Sequence, residues 1–201
     1  MLTGPSTPSP EIYMDRNRTI LDAGDVQRVL SRMTDDILAH HRGTDNLIVI
    51  GIHTRGAYIA NRIQTCIEQQ TGIKIPAGDM DITLYRDDWT RISQHPVIQA
   101  TDILFSVDEK RIILVDDVLF TGRTTRAAMD AVIDFGRPER IELAVLVDRG
   151  HRELPIQANY VGKIVETRRN EHVNVLLAEH DGEDRVVLAH QLADTAGLEQ
   201  P

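Results

Sequence analysis

The 201-residue chain carries a single cysteine, a single tryptophan and only three lysines, Lys74, Lys110 and Lys163. A lone Cys66 excludes an intramolecular disulfide and fits a reducing cytoplasm. It falls on a helical stripe with Ile59, Ile63 and Ile67, which predicts a buried core thiol. No apolar run reaches the roughly 18 residues that span a bilayer. The first residues lack a basic stretch followed by an apolar core, so neither a membrane anchor nor a secretory signal is expected. Positive charge is also scarce. A formal net charge of −9 argues against a generic nucleic-acid binder, although a local basic patch stays open. Of the 22 basic residues nearly all are arginine. The planar guanidinium suits phosphate groups, and genome composition would give the same bias.

What remains is an ordinary globular composition, 41% apolar, long enough to close one core. Residues 1–16 are rich in Pro, Ser and Thr, and residues 191–201 look similar, so both read as mobile tails around a single domain at 17–190. Within that domain short apolar runs alternate with helical patterns. Val26, Val29, Leu30, Met33 and Ile37 form one helical stripe. Leu47–Ile50 reads as a buried strand before the helix of Ile59, Ile63 and Ile67. Met80, Ile82 and Leu84 alternate as a half-buried strand should. The strand 112–119, a helix over 123–135 and the strand 141–147 follow, with shorter strands expected at 161–165, 173–177 and 186–188. This alternation predicts an α/β fold with a parallel sheet covered on both faces.

One segment carries more chemistry than the rest. In Ile112-Ile113-Leu114-Val115-Asp116-Asp117-Val118-Leu119-Phe120-Thr121-Gly122-Arg123-Thr124-Thr125 an apolar strand ends in two carboxylates, and a Thr/Gly/Thr turn opens a helix. Carboxylates accept hydrogen bonds from vicinal ribose hydroxyls, and N–H groups at a helix start hold a phosphate dianion. No Walker lysine follows at the required spacing, and the dinucleotide G-x-G-x-x-G pattern is absent. The polar segments 53–56, 116–125 and 148–155 each follow a predicted strand. Because open α/β sheets bind ligands beyond the carboxyl ends of their strands, all three should meet in one cleft.

The 112–125 run resembles the 5-phosphoribosyl-1-diphosphate (PRPP) motif of type I phosphoribosyltransferases. Asp81-Ile82-Thr83-Leu84-Tyr85-Arg86-Asp87-Asp88 and Val147-Asp148-Arg149-Gly150-His151-Arg152-Glu153-Leu154-Pro155 are similar to one branch of that family. That branch (PyrR type) joins a pyrimidine-operon regulator to a uracil phosphoribosyltransferase, and the likeness runs from about residue 18 to 180. It implies the type I fold with a lid hairpin and a small hood, and transfer of a phosphoribosyl group from PRPP to uracil, giving UMP and pyrophosphate. It assigns Asp116 and Asp117 to the ribose hydroxyls. Thr121, Gly122, Arg123, Thr124 and Thr125 take the 5′-phosphate, although Arg123 also reads as a solvated side chain. His53, Thr54, Arg55 and Gly56 form the pyrophosphate loop, with Arg55 gripping bidentately. Relatives commonly carry lysine where this chain has His53, which makes charge compensation there depend on protonation. Arg86 and Arg91 would reach the diphosphate from a lid over 86–101, and Trp89 would cap the site or enter a subunit contact. Asp148 and Arg149 would line the uracil pocket under a hood at 148–155, while His151 and Arg152 stand open between pocket and surface. Mg²⁺ is implied, held mainly by substrate with Asp116 and Asp117 as candidate ligands.

The same resemblance implies uridine-nucleotide-dependent binding of a leader mRNA (UMP or UTP being the effector) and assembly into dimers or tetramers. Candidate cations for the RNA are Arg28 and Arg32, with Arg42, on the outward face of the first helix, and Arg168 and Arg169 with Arg18. Asp35 and Asp36 partly cancel the first group, and a mixed-charge solvated surface is the plain alternative. Three readings stay open: an enzyme that also regulates RNA, a salvage transferase alone, and a nucleotide-sensing regulator with feeble catalysis.

Overall fold

The computed structural model describes residues 18–85 and 101–190. The expected tails at 1–16 and 191–201, and the lid residues Arg86, Trp89 and Arg91, lie outside that range. In chain order the elements are β1 (Arg18–Leu21), α1 (Ala23–His41), β2 (Leu47–Ile52), α2 (Arg55–Thr71), β3 (Ala77–Met80), a 3₁₀ turn (Thr83–Tyr85), β4 (Arg111–Leu119), α3 (Arg123–Asp134), β5 (Arg140–Asp148), β6 (Tyr160–Ile164), β7 (Glu171–Leu176), a one-turn α4 (Ala178–Asp181) and β8 (Arg185–His190).

Five strands form a parallel sheet in the order β3-β2-β4-β5-β6. All six residues of β2 are buried, as a parallel strand covered on both faces requires. Strand alternation divides them between two cores. Leu47 and Val49 join Val26, Leu30, Met33 and Ile37 of α1 and Ile59, Ile63 and Ile67 of α2 on one face. Ile48, Ile50 and Ile52 pack with Ala127, Ala128, Ala131 and Val132 of α3 on the other. A second, antiparallel sheet of order β1-β8-β7 adds Leu21, Val173, Val175, Val186 and Leu188 to the first core. From β2 the chain first steps outward to β3 and then returns to lay β4 on the opposite side. The topological switch point is therefore the gap between β2 and β4, where such sheets bind ligands.

Two expectations change. The strand read through Ile82 and Leu84 stops at Met80. The Asp81 carboxylate takes the Thr83 N–H at 2.8 Å and the Thr83 hydroxyl at 2.6 Å, turning the backbone into the 3₁₀ turn. Cys66 sits beside its isoleucine stripe, half-buried, with burial pushing its thiol pKa up. The segment 148–155 forms a loop after β5, distinct from the small antiparallel sheet.

At the opposite end of the sheet lies a buried polar cluster. His41, closing α1, has Nε2 2.6 Å from the Glu142 carboxylate of β5. The Tyr160 hydroxyl donates to the same carboxylate at 3.1 Å and Arg140 at 3.2 Å. Burial lowers the His41 pKa, an effect only partly offset by Glu142. Burial by itself would raise the Glu142 pKa, yet the bonds from Arg140, His41 and Tyr160 outweigh it and leave the carboxyl below its ordinary value.

Candidate active site

Two helices begin at the switch point, and neither N-cap residue supplies a side-chain cap, although the Thr121 hydroxyl accepts the Arg123 N–H at 3.4 Å. α1 starts with a full capping box, in which the Asp22 and Asp25 carboxylates each accept the other's backbone N–H. α2 starts after Thr54 and α3 after Gly122, neither with a cap from that residue's side chain nor with an acid in its first turn. Helix starts leave their first N–H groups without intrahelical acceptors and carry a partial positive charge. Two such ends, following neighbouring strands, make a cradle for two anionic groups.

The residues around α2 are placed by one close approach. β2 runs into His53, the His53–Thr54 peptide bond is cis, and α2 opens at Arg55. A Cβ on Gly56 would lie 2.5 Å from the Val115 carbonyl oxygen and 3.2 Å from the Asp116 Cα. Only glycine lets the helix start press on β4 just where that strand carries Asp116 and Asp117. His53 and Thr54 are half-buried beside it.

Asp116 is 7% exposed, and its Oδ1 accepts the Asp117 N–H at 2.9 Å. Asp117 in turn accepts the Val118 N–H at 2.8 Å. The chain then reaches Gly122, whose φ of +91° suits glycine and whose missing side chain would meet Ile156 at 3.3 Å. Thr121, Thr124 and Thr125 follow the pattern read from the sequence, Thr125 fully buried. Arg123 turns away from the turn, donating to Glu153 at 2.9 Å with about half its side chain exposed.

The third segment is laced to the second. Glu153 and Leu154 N–H groups bond to the Thr121 carbonyl at 2.9 and 3.2 Å, and the Arg149 N–H bonds to the Leu119 carbonyl at 3.1 Å. Arg149 is 5% exposed. Its guanidinium lies 4.1 Å over the Phe120 ring and donates to the Arg168 carbonyl at 3.1 Å. Burial lowers its pKa, with Glu171 opposing. Asp148 accepts the Gly150 N–H at 2.9 Å and pairs with Arg152. His151 reaches the Thr167 carbonyl at 2.7 Å.

Arg152 is neither a pocket wall nor a solvated surface residue. Its Nε donates to the Ile156 carbonyl at 3.1 Å. Its Nη1 donates to the carbonyls of Phe120 at 2.9 Å, Gly150 at 3.1 Å and Leu119 at 3.4 Å, and its Nη2 to Asp148. One side chain thus ties the phosphate-type turn to the loop after β5. Sequence inspection left it undecided, because the two carbonyls that join it to the other turn, Leu119 and Phe120, lie 33 and 32 residues away.

Arg55, read as an open pyrophosphate grip, has a protein partner. Its Nε and Nη2 donate to the Asp181 carboxylate of α4 at 3.1 and 2.7 Å. That bond, aided by Asp117, holds its pKa above the ordinary arginine value. Asp181 also accepts the Leu177 N–H at 2.9 Å. No spacing signal joins residues 126 positions apart.

Among the described residues, three buried side-chain polar atoms lack a hydrogen-bond partner: His53 Nδ1, Thr125 Oγ1 and Arg149 Nε. Each comes from a different one of the three polar segments. An orphaned buried group costs about 1–3 kcal/mol, and such groups are tolerated where a site is built for something else.

Of the arginines read as RNA contacts, Arg28, Arg32 and Arg169 have protein partners. Arg28 pairs with Asp25 at 2.5 Å. Arg32 reaches Asp36 at 3.4 Å and, through Nη2, the Val161 and Gly162 carbonyls of β6 at 3.1 and 2.6 Å. Arg42 caps α1 at φ 53°. Arg169 pairs with Glu153. Arg168 and Arg18 line a recess of about 440 Å³ with Glu166, Thr167, Glu171 and Leu188. These arginines thus form two groups, on α1 and beside β7.

A family model for the phosphoribosyl transferase domain matches residues 17–180. The chain belongs to that family. Relatives named "Bifunctional protein PyrR" agree over most of its length. That of Desulfosudis oleivorans is 56% identical across 87% of this chain and 97% of its own. That of Clostridioides difficile is 53% identical across 84% and 96%. Among solved structures, a hypoxanthine phosphoribosyltransferase from Staphylococcus aureus superposes with a TM-score of 0.65 at 17% identity, covering 92% of this chain and 98% of its own. One from Trypanosoma cruzi gives 0.66 at 14% identity, over 86% and 96%. These last two share the fold. The type I architecture expected from the sequence is therefore the one observed, and the enzyme class is that of a pentosyltransferase. No helix among the described residues is long and apolar enough to cross a membrane.

Proposed function

We propose that the chain transfers the phosphoribosyl group of PRPP to uracil and also regulates pyrimidine-operon expression by uridine-nucleotide-dependent binding of leader mRNA. The observation that carries the enzymatic half is the pair of helix starts, neither capped by its N-cap side chain, flanking Asp116 and Asp117 at the switch point. PRPP has two anionic ends separated by a ribose, and the cleft offers two anion cradles separated by a carboxylate pair. Thr121 to Thr125 take the 5′-phosphate, with Thr125 Oγ1 as one donor. His53 to Gly56 take the diphosphate, and Asp116 and Asp117 take the ribose hydroxyls. Uracil N1 bonds to C1′ as the C1′–oxygen bond to diphosphate breaks, and the N1 proton is released to solvent. Positive charge grows on the ribose beside Asp117 while negative charge collects on the leaving group near Arg55. Preorganised charges of this kind supply much of the rate in dry sites. Arg86 and Arg91 belong to the same reading as lid cations.

The carboxylate pair is an all-oxygen donor set suited to Mg²⁺. Two side chains do not make a cage, and no group of three or more metal-ligating side chains occurs among the described residues. The ion would be held mainly by the diphosphate and ribose oxygens, with Asp116 or Asp117 assisting, and it would neutralise the leaving group. Base recognition falls to the loop after β5, where Arg152 holds the backbone in place and Asp148 and Arg149 line the inner edge. Assembly into a dimer or tetramer belongs to the same reading.

Two assays test it. Mg²⁺-dependent formation of UMP and pyrophosphate should fall at least about 100-fold in Asp116→Ala plus Asp117→Ala, and full rate in that variant would refute the site. Leader RNA titrated at near-physiological salt should bind more tightly with UMP present. Failure to bind in either condition would leave a salvage enzyme alone.

A further inference from the structure

Arg55 stands at the first position of α2, and the group that sets its direction comes from α4, beyond the polar segments on which the proposed function rests. The Asp181 carboxylate grips the Nε–Nη2 edge side-on at 3.1 and 2.7 Å. A guanidinium has five N–H donors, so the Nη1 end and one Nη2 hydrogen remain for an anion. Asp181 is itself anchored, since its Oδ2 accepts the Leu177 N–H at 2.9 Å. The Arg55 side chain is about one-third exposed, enough to reach a ligand while held from behind.

We infer that Asp181 is a positioning residue for the diphosphate subsite. It holds Arg55 in the orientation from which its outer N–H groups meet the leaving group. This inference rests on the phosphoribosyltransferase reading of the cleft. A long arginine loses side-chain freedom on gripping a ligand, and a fixed partner behind it removes much of that loss beforehand. The neighbouring contact separates positioning from attachment. Arg62, two turns along α2, takes both Glu179 and Asp184 in bidentate pairs, with distances of 2.5–2.8 Å. That clamp fastens the α4 region to α2 without touching Arg55, so loss of Asp181 should leave the region attached.

The test is calorimetric titration of PRPP and of pyrophosphate, each with Mg²⁺, into the full chain and three variants, with melting temperature recorded beside steady-state kinetics. Asp181→Ala is expected to weaken both ligands about tenfold or more and raise KM for PRPP in step. KM for uracil should stay within about twofold. Asp181→Glu, which keeps the fork, should recover most of the affinity. Arg62→Gln should lower the melting temperature yet leave the affinity of the folded protein for both ligands unchanged. Asp181→Ala that melts as the parent does and binds PRPP and pyrophosphate as tightly would overturn the inference alone. Weakening of both ligands to the same degree by Arg62→Gln would overturn it too, by showing that attachment is all that matters. A parent chain that binds neither PRPP nor pyrophosphate would overturn the function reading and this inference with it.

Discussion

At Gly56 the effect of a single methyl group follows from two distances. Alanine would set its Cβ 2.5 Å from a backbone carbonyl that cannot swing aside, so β4 or the start of α2 must shift. Gly56→Ala should cost about 1–3 kcal/mol, as overpacked cores do, read as a lower urea midpoint at unchanged slope, together with weaker PRPP binding. A second residue-scale prediction concerns acid. Neutral His41 donates Nε2–H to ionised Glu142, and both folded pKa values lie below their ordinary ones. Below about pH 6.5 the unfolded chain takes up a proton at His41 that the folded chain refuses. Below the ordinary carboxylate range the same holds for Glu142. Stability contributed by both groups is thus present near neutrality and is lost as pH falls. His41→Gln should flatten the first part of that loss in urea melts taken from pH 7.5 to 5.5, and an unchanged slope would remove His41 from the account. Residue by residue, the placement of Asp116, Asp117, Thr121 and Thr125 between a buried strand and a helix was legible, because strand, carboxylate pair and turn are contiguous. The roles of Asp181 and Arg152 were not, since the contacts that matter, to Arg55 and to the Leu119 and Phe120 carbonyls, are distant in sequence.

Elements were easier to read than their edges. The isoleucine and valine runs located β2, β4 and β5, because buried parallel strands are apolar on both faces. β3 was overextended, since the alternation of Met80, Ile82 and Leu84 says nothing of the Asp81 side chain that ends it. β6 carries the consequence that matters most for experiments. As the outermost strand of the parallel sheet, it has Arg32 of α1 bonded to two of its carbonyls. Arg32→Ala should therefore lower stability by about 1–2 kcal/mol with no RNA present. Arg28→Ala, which removes only an exposed pair with Asp25, should leave it essentially unchanged. Chemical denaturation of both variants checks this. Loss of RNA binding in Arg28→Glu can then be read directly, whereas the same loss in Arg32→Glu must first be corrected for folding.

For the whole molecule, a charge of −9 sets how any RNA must be held. Single-stranded nucleic acid gives a salt slope of about −0.7 per phosphate neutralised. Contacts limited to Arg28, Arg32, Arg168 and Arg169 would make the slope of log K against log salt no steeper than about −3. A steeper slope in filter-binding titrations would require other cations. The sequence declared the fold plainly, since it follows from the alternation of buried strands and helices. Whether Arg32 and Arg169 were open to a partner was not legible, because their bonds to β6 and to Glu153 depend on tertiary neighbours.

Arg152 also has a meaning for heredity. Four carbonyls and a carboxylate converge on one planar fork, and an ammonium on a flexible stem cannot serve them all. Codon changes at His151 or Glu153 alter one or two contacts each, but even the mildest exchange at 152 unfastens two loops at once. In a saturation library selected for growth on uracil, lysine at 152 should be purged almost as thoroughly as alanine. That position would stand beside Asp148 and Arg149 as intolerant, while His151 and Glu153 drift.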